Sequence, residues 1–339
     1  MSTVSRALKN HPDIGPEVTR KVQKLAQELH YSPNPLAMGL LRDKTNTIGV
    51  IVPDLVTYFF SSIISGIESV AKENGYYIVI QSSYESYEKE KECLESLLKL
   101  RVEGIIMCLA QQTADYTHFD RLIEQEMPLV FFDRVCRTEE VATVIVDNQE
   151  AARRITNHFF ERGYRRIAHI AGPAQLNITR ERVQGYRQGL ADCGLPFDEK
   201  LLVHCDLSIA SATAATQRLL NLGQRPDAIF GVNDTTAFAA MKEIKRQGLR
   251  IPEEVGLVGF TDEFHATVVE PSLTSVMHPT FEMGQEAAKL FLKQAAAKTK
   301  IQPQQTTLTT QLVVRDSSAC GPTSESLNGV ETRHFASPR

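Results

Sequence analysis

The chain has 339 residues, 42% hydrophobic and 23% charged, a composition typical of a soluble globular protein. At about 100–200 residues per domain, this length predicts two or three folding units. No run approaches the roughly 18 apolar residues of a membrane span and no apolar signal segment opens the chain, so we expect a cytoplasmic protein without a membrane partner. Six scattered cysteines without a CxxC pair indicate neither a zinc site nor a disulfide framework.

The net charge of −4 is unevenly distributed. Residues 1–44 carry seven Lys or Arg against four Asp or Glu, whereas the rest of the chain carries 30 basic and 37 acidic residues. A basic N-terminal segment on an acidic body favours a head that faces a polyanion such as DNA. A difference of this size also arises by chance, so charge alone does not decide the matter.

The first segment, residues 1–30, has the periodicity of two short helices. Val4 and Leu8 lie four residues apart and are expected to share a buried face, which leaves the polar side chains around them outside. Pro16 predicts the start of a second helix, because proline is tolerated in the first helical turn. Apolar residues then recur at helical spacing at Val18, Val22, Leu25 and Leu29.

The second segment, residues 31–45, begins by breaking the preceding helix. Pro33 and Pro35 each lack an N–H and restrict the residue before them. Residues 36–41 could form one or two helical turns, which are too short to be stable alone. We therefore expect this segment to order only against a partner.

The third segment, residues 46–317, alternates strands and amphipathic helices. Strand-like runs occur at 48–54, 76–81, 104–109, 128–133 and 142–147, and again at 166–172, 201–205, 227–232 and 255–260. Continuous apolar strands alternating with helices predict an α/β fold with two doubly wound parallel-sheet lobes. A helix at 282–294 and a strand at 309–315 close this core, and residues 318–339 have the composition of a disordered tail.

Polar and aromatic residues follow many of these strands. Because open parallel sheets bind ligands beyond the carboxyl ends of their strands, these residues predict a pocket for a sugar or another polar small molecule. The set comprises Asp54, Phe59, Phe60, Cys108, Asp133, Arg134, Asp147, Asn148, Arg180, Arg182, Asp206, Asn233, Asp234, Thr261 and Asp262. Helix capping is an equal alternative for Asp54, Asn148 and Asp234, and burial in the core is an equal alternative for the two phenylalanines.

Signatures of catalysis are missing. The sequence contains no GxSxG, GxxxxGK[ST], GxGxxG or HExxH pattern. We therefore expect no enzyme activity, no cofactor and no metal site.

A series of motifs in one order resembles the lactose-repressor/galactose-repressor (LacI/GalR) family of bacterial transcriptional regulators. The motifs are STVSRALKN, YSPNPLAMGL, NTIGVIVPD, FFDR, VDN, GVND, VGFTD, PSLTSV and LVVR. The resemblance covers residues 2–317. It implies a helix-turn-helix headpiece at 1–30, a hinge helix at 31–45, and a core at 46–317 that is similar to type I periplasmic binding proteins. The lobes would comprise about 46–157 with 279–306 and about 158–276 with 307–317, joined by three crossovers.

The resemblance also implies the partners. Members bind a near-palindromic operator as homodimers. The second helix of the family's helix-turn-helix, which the segment STVSRALKN resembles, enters the major groove, and paired hinge helices enter the minor groove. The implied DNA contacts are Ser2 and Arg6 to bases, Thr3, Ser5 and Asn10 to phosphates, and Asn34, Ala37 and the wedge residue Leu40 from the hinge. A small molecule between the lobes would shift the lobe angle and thereby operator binding.

The effector contacts implied by the resemblance are Phe59, Phe60, Asp147, Arg182, Asn233 and Thr261. Cys108 and Asp262, which follow strands, and Leu207 are further candidates. Many members have aspartate where this chain has Thr261 and an aromatic residue where it has Leu207. Both departures bear on the identity of the effector, and Thr261 argues against a plain hexose.

The family's first headpiece helix has no counterpart before Ser2, so the resemblance implies an incomplete headpiece in this chain. Its loss would expose large apolar side chains at about 1.5–3 kcal/mol each, and we expect poor operator binding. The leading interpretation is a ligand-responsive repressor. The alternative is a small-molecule (sugar) binding module without DNA-binding activity.

Overall fold

The computed structural model describes residues 3–8, 10–29, 31, 45–297 and 302–319. It comprises two compact units, Met1–Asn46 and Thr47–Arg339. The predicted DNA contacts Ser2, Asn34, Ala37 and Leu40 lie outside the described residues, as does the predicted tail from position 320 onward.

The first unit contains helices α1 (Thr3–Leu8) and α2 (Pro16–Glu28), with Pro16 in the first turn as predicted. The two helices pack against each other, and Ala7 is fully buried. The expectation of a buried face at Val4 is wrong, since this side chain is 51% exposed. Two short helices present too little surface to cover each other's apolar faces, so only the smallest inward side chain is enclosed.

The second unit begins with a sheet of six parallel strands. Its strands are β1 (Thr47–Val52), β2 (Tyr77–Ser82), β3 (Gly104–Met107), β4 (Leu129–Phe132), β5 (Ala142–Val146) and β11 (Gln305–Leu308). The strand order is β11-β5-β4-β3-β1-β2. Nearly all residues of β1, β3, β4 and β5 are buried, as expected for parallel strands covered by helices on both faces.

A second sheet repeats this plan. Its strands are β6 (Ile167–Ala171), β7 (Leu202–His204), β8 (Ala228–Gly231), β9 (Gly256–Thr261), β10 (Thr274–Met277) and β12 (Gln311–Val313). The order is β12-β10-β9-β8-β6-β7, with β12 antiparallel to β10. We call the two halves the first lobe and the second lobe; the chain passes between them after β5, after β10 and between β11 and β12.

Helices of the second unit flank both sheets. They are α3 (Tyr58–Glu73), α4 (Tyr87–Lys99), α5 (Asp120–Glu124), α6 (Asn148–Glu161), α7 (Asn177–Asp192), α8 (Ile209–Leu220), α9 (Asp234–Arg246) and α10 (Thr280–Ala296). Helices α3 and α10 approach very closely, since a Cβ on Gly284 would overlap the carbonyl oxygen of Ile63. Glycine is therefore required where these two backbones meet.

The predicted fold class is confirmed, and each of the nine predicted core strands corresponds to an observed one. The strand predicted at 309–315 corresponds to β12, whereas β11, which precedes it across a crossover and joins the other sheet, was not predicted. Strand β10 was not predicted, since its four residues include only two apolar ones. The predicted start of the tail at residue 318 is too early, because Ser318 is buried and its Oγ is hydrogen-bonded to His158 Nε2 (2.8 Å).

Within the described ranges, no helix combines the length and the apolar character needed to cross a membrane.

Candidate ligand-binding site

A cavity of about 400 Å³ lies between the two lobes, at the carboxyl ends of both sheets. Asp54 follows β1 and Asp133 follows β4 in the first lobe, while Asp206 follows β7 and Asn233 follows β8 in the second. This is the edge at which open α/β sheets bind ligands. The complete lining is Asp54, Thr57, Phe59, Phe60, Glu85, Gln111, Asp133, Arg134, Ile178, Arg182, Asp206, Leu207, Ser208, Ile209, Val232, Asn233, Thr235, Thr261 and Glu263.

Six of the nine predicted effector residues line this cavity: Phe59, Phe60, Arg182, Leu207, Asn233 and Thr261. The other three lie elsewhere. The Cys108 side chain is buried in the core of the first lobe. The Asp147 carboxylate accepts a hydrogen bond from the Glu150 backbone N–H (2.9 Å) and caps α6. Asp262 forms an ion pair with Arg315 at 2.6 Å.

Arg182 is the central cation of the cavity, although it is only 2% exposed. Its Nε donates to Asn148 Oδ1 (2.9 Å) and its Nη1 donates to the Val232 carbonyl oxygen (2.6 Å). The guanidinium lies 3.6 Å from the ring centroid of Phe260, a cation–π contact. Burial lowers the pKa of Arg182 to about 10, so the fold holds this charge against a desolvation cost. Among the described residues its Nη2 group has no hydrogen-bond partner, which leaves donors for a ligand.

Asn148 sets the orientation of this arginine. Its side-chain amide is buried directly after β5, accepts from Arg182 and donates to Glu181 Oε2 (2.9 Å). Burial raises the pKa of Glu181. Both alternatives considered from the sequence, helix capping and ligand contact, are therefore replaced by a third role: Asn148 positions the residue that faces the ligand.

The first lobe contributes a charged corner that the sequence predicted only in part. Arg134 donates through Nη1 to Glu85 Oε2 (2.7 Å), and Glu85 also accepts from the Gln111 backbone N–H (2.7 Å). Glu85 lies in the loop after β2 with a left-handed backbone (φ 60°), and no motif in the sequence pointed to it. Asp133, which was noted because it follows a strand, is 5% exposed, and burial raises its pKa.

The second lobe contributes a polar wall. Asn233 caps α9, since its Oδ1 accepts from the Thr236 backbone N–H (2.8 Å). Asp234, the next residue, lies behind the cavity and accepts from Ser275 Oγ (2.5 Å) and the Glu263 backbone N–H (2.9 Å). Burial raises the pKa of Asp234 to about 6. Thr261 lines the cavity with φ 125°, a strained backbone conformation that is rare for a β-branched residue.

An aromatic group lies beside the cavity, near the second crossover. The His278 ring is buried, and its centroid lies 5.0 Å from that of Phe59 and 6.1 Å from that of Phe260. Both ring nitrogens lack a hydrogen-bond partner within the described part of the chain. Burial lowers the pKa of His278 to about 3, so the ring is neutral at physiological pH.

Hydrogen bonds join the lobes beside the cavity, and one of them runs from Asn177 Nδ2 to the Asp133 carbonyl oxygen (3.4 Å). Asn177, at the start of α7, accepts through Oδ1 from the Val135 backbone N–H (3.1 Å). Gln175 Nε2 donates to the Gln111 carbonyl oxygen (2.7 Å). A ligand in the cavity would therefore contact both lobes next to the contacts that set their relative position.

Two doubly wound lobes with a polar cavity at the carboxyl ends of both sheets define the class of two-lobed small-molecule-binding proteins. A family model described as "Periplasmic binding proteins and sugar binding domain of LacI family" matches residues 45–315. The chain belongs to the LacI family, whose matched members are transcriptional repressors and not enzymes.

Individual relatives and solved structures support this family assignment. The HTH-type transcriptional repressor CytR of Escherichia coli (strain K12) is 34% identical over 296 residues, which is 86% of this chain and 85% of CytR. The structure of a "transcriptional regulator CelR-cellobiose complex" has a TM-score of 0.75 and 31% identity, covering 93% of this chain and 95% of that one. The lac repressor dimer bound to operator and the anti-inducer ONPF has a TM-score of 0.81 and 25% identity, covering 93% and 94%.

Proposed function

We propose that this protein is a cytoplasmic repressor that binds a near-palindromic operator as a homodimer. Its operator affinity would fall or rise when a sugar-like small molecule binds in the cavity. The cavity carries the proposal, because both lobes line it and Arg182 presents donors to it that have no partner in the described part of the chain. Buried, convergent polar groups beside aromatic rings are the usual composition of a small-molecule site. The cellobiose bound to CelR supports a sugar-like effector.

The headpiece would supply the DNA contacts. Thr3 is exposed on α1. Among the described residues, the Arg6 guanidinium makes only a long ion pair with Asp13 (3.7 Å), which leaves it available for a base edge. Asn10 lies in the turn after α1 with φ 54° and accepts through Oδ1 from Gln23 Nε2 (2.9 Å). This bond fixes the turn between the helices and leaves its amide donor for a phosphate.

The hinge would connect the headpiece to the core. In this proposal Asn34 and Ala37 contact the minor groove and Leu40 wedges into a base step, which bends the DNA and widens the contact. The expected instability of a segment this short supports the idea that it folds only on DNA. Operator affinity would then rise when the core holds the two hinges at the right separation and fall when the core moves them away from it.

The switch would be a change in lobe angle. Asn177 and Gln175 hold the lobes together through a few hydrogen bonds, each worth about 0.5–1.5 kcal/mol net. A ligand that prefers one lobe arrangement by a few kcal/mol can therefore shift the population between two states. Whether the ligand induces or co-represses depends on which state it prefers.

The test is a selection of operator DNA by the full chain from a random duplex pool, followed by fluorescence anisotropy. We expect enrichment of a near-palindrome, weak operator binding with a steep salt dependence, and an operator affinity that changes when a cavity ligand is added. Ligand binding without any enrichment of DNA would instead support the alternative, a small-molecule binding module.

A further inference from the structure

The three crossovers between the lobes are anchored differently. Arg154 on α6 donates through Nη1 to the Thr310 carbonyl oxygen (3.1 Å) and through Nη2 to Thr310 Oγ1 (2.6 Å), which fixes the third crossover. The first crossover enters the same helix, whose N-terminus is capped by Asp147. In the second crossover, neither ring nitrogen of His278 has a hydrogen-bond partner within the described ranges. A change in lobe angle should therefore pivot about α6 and displace the second crossover most.

The His278 side chain is enclosed by both lobes. Its ring centroid lies 5.0 Å from that of Phe59 on α3, in the first lobe, and 6.1 Å from that of Phe260 on β9, in the second. His278 is only 4% exposed in this arrangement. Because the cover comes from both lobes, separation of the lobes would admit water to the ring.

The enclosed ring is poorly matched to its surroundings. A neutral imidazole carries one N–H donor and one acceptor, and neither finds a partner among the described residues. A buried polar group without a partner costs free energy that hydration recovers. Hydration of His278 therefore favours lobe separation even when the ring is neutral.

Protonation adds a contribution that depends on pH. Burial, and to a smaller extent the Arg182 guanidinium on α7, lowers the pKa of His278 from 6.5 to about 3. A hydrated ring titrates near pH 6.5, so the open arrangement binds a proton that the observed one does not. Acidification below pH 6.5 then shifts the population toward the open arrangement. At pH 5.5 the open-to-closed ratio would be about tenfold higher than at pH 8.

Other titratable groups lie near the ring or near Arg182. Asp234 on α9 accepts from Ser275 Oγ of β10 (2.5 Å), and burial raises its pKa to about 6. Both partners belong to the second lobe, so this protonation acts within one lobe. Burial also raises the pKa of Asp133, which interacts electrostatically with Arg182 across the cavity. A replacement of His278 that does not titrate separates its share from theirs.

We propose that the second crossover is a proton-sensitive hinge, in which His278 takes up a proton as the lobes separate, so that acid pH favours the open arrangement. The hinge needs neither ligand nor DNA, and its test is therefore independent of the proposed function. In a repressor of the kind proposed above, a lobe angle that depends on pH would make operator affinity depend on pH as well.

The test measures the distance between the lobes in the full chain, without ligand or DNA. Spin labels at Val56→Cys and Ala174→Cys, which replace exposed residues after β1 and after β6, report this distance by double electron–electron resonance. Cys193→Ser and Cys320→Ser prevent labelling at those two positions. We expect the ratio of the longer-distance to the shorter-distance population to rise about tenfold between pH 8 and pH 5.5.

Three variants in this labelled background assign the effect. His278→Gln keeps a polar side chain that does not titrate, so the rise should fall to less than about twofold. His278→Met removes the unsatisfied polar groups as well, and the shorter distance should gain population already at pH 8. His265→Gln is the matched control, because the His265 side chain is 61% exposed in the second lobe, and it should respond like the parent. Circular dichroism checks that each variant is folded.

Three results would overturn the inference. They are distance populations in the parent that do not change between pH 8 and pH 5.5, a shift toward the shorter distance at acid pH, and an unchanged response in a folded His278→Gln or His278→Met protein. An operator affinity that stays constant with pH, in a chain whose lobes do open, would instead count against the proposed function and leave the hinge in place.

Discussion

Replacing Arg182 by methionine should weaken ligand binding strongly while leaving the core folded. Methionine keeps most of the buried volume but loses the bonds to Asn148 Oδ1 (2.9 Å) and to the Val232 carbonyl (2.6 Å). Two buried acceptors left unpaired cost roughly 2–6 kcal/mol in total. Against this, the pKa of Arg182 is lowered from 12.5 to about 10, so burial of the cation opposes folding by roughly 3 kcal/mol, which the substitution relieves.

The two effects on stability partly cancel, and we expect a net loss of no more than about 3 kcal/mol. The effect on the ligand is not compensated. A charge-assisted hydrogen bond from the guanidinium is worth about 1.5–3 kcal/mol, which corresponds to roughly 10- to 150-fold in Kd. Urea unfolding measures the first quantity and calorimetry with the tightest-binding cavity ligand measures the second.

Arg180→Met is the matched control, because Arg180 lies on the same helix but is exposed and donates to the Gln175 carbonyl oxygen. It should change neither stability nor ligand affinity appreciably. An Arg182→Met protein that is folded and binds the ligand as tightly as the parent would refute the assignment of Arg182 to the ligand. A loss of stability large enough to unfold the core would show that the arginine serves the fold first.

Three further predictions concern pH, packing and DNA. The pKa of His278 is about 3 in the folded protein against 6.5 in the unfolded chain, so the unfolded state binds more protons at acid pH. The free energy of unfolding should therefore fall below pH 6.5, by about 2 kcal/mol at pH 5. His278→Met should remove this part of the loss, as measured by urea unfolding at pH 5 and pH 8. Gly284→Ala should lower the free energy of unfolding by about 1–3 kcal/mol, because its Cβ overlaps the Ile63 carbonyl, whereas Gly223→Ala, in open space, should not. Arg6→Ala should weaken operator binding by about 1–3 kcal/mol and relax specificity at one base, and Lys72→Ala on α3 should do neither.

Apolar runs were enough to predict the two sheets. Strands such as Thr47–Val52 and Ile167–Ala171 are buried on both faces, so their sequences are continuously apolar and visible without any partner. The two strands that were missed, β10 and β11, are four residues long and carry Thr, Ser or Gln. Their assignment depends on which sheet edge lies nearby, which is a tertiary property.

The cavity was predictable in outline for a similar reason. Residues such as Asn233 and Thr261 follow apolar strands, and the rule that parallel strands end at one edge places them together. The direction of each side chain was not predictable. Asp147 turns back to cap its helix and Asp262 turns to Arg315, while Glu85 reaches the cavity from a loop with a left-handed backbone. Backbone and side-chain dihedral angles decide where each of these side chains lies, and the residue type does not predict those angles.

The most direct test of the central claim is to measure operator binding by the full chain with fluorescence anisotropy, with and without a saturating cavity ligand. We predict that the ligand changes the operator Kd by at least about tenfold, a coupling of about 1.4 kcal/mol, and that Arg182→Met binds operator but no longer responds. A ligand that binds the cavity by calorimetry yet leaves the operator Kd of the parent chain unchanged would contradict the account.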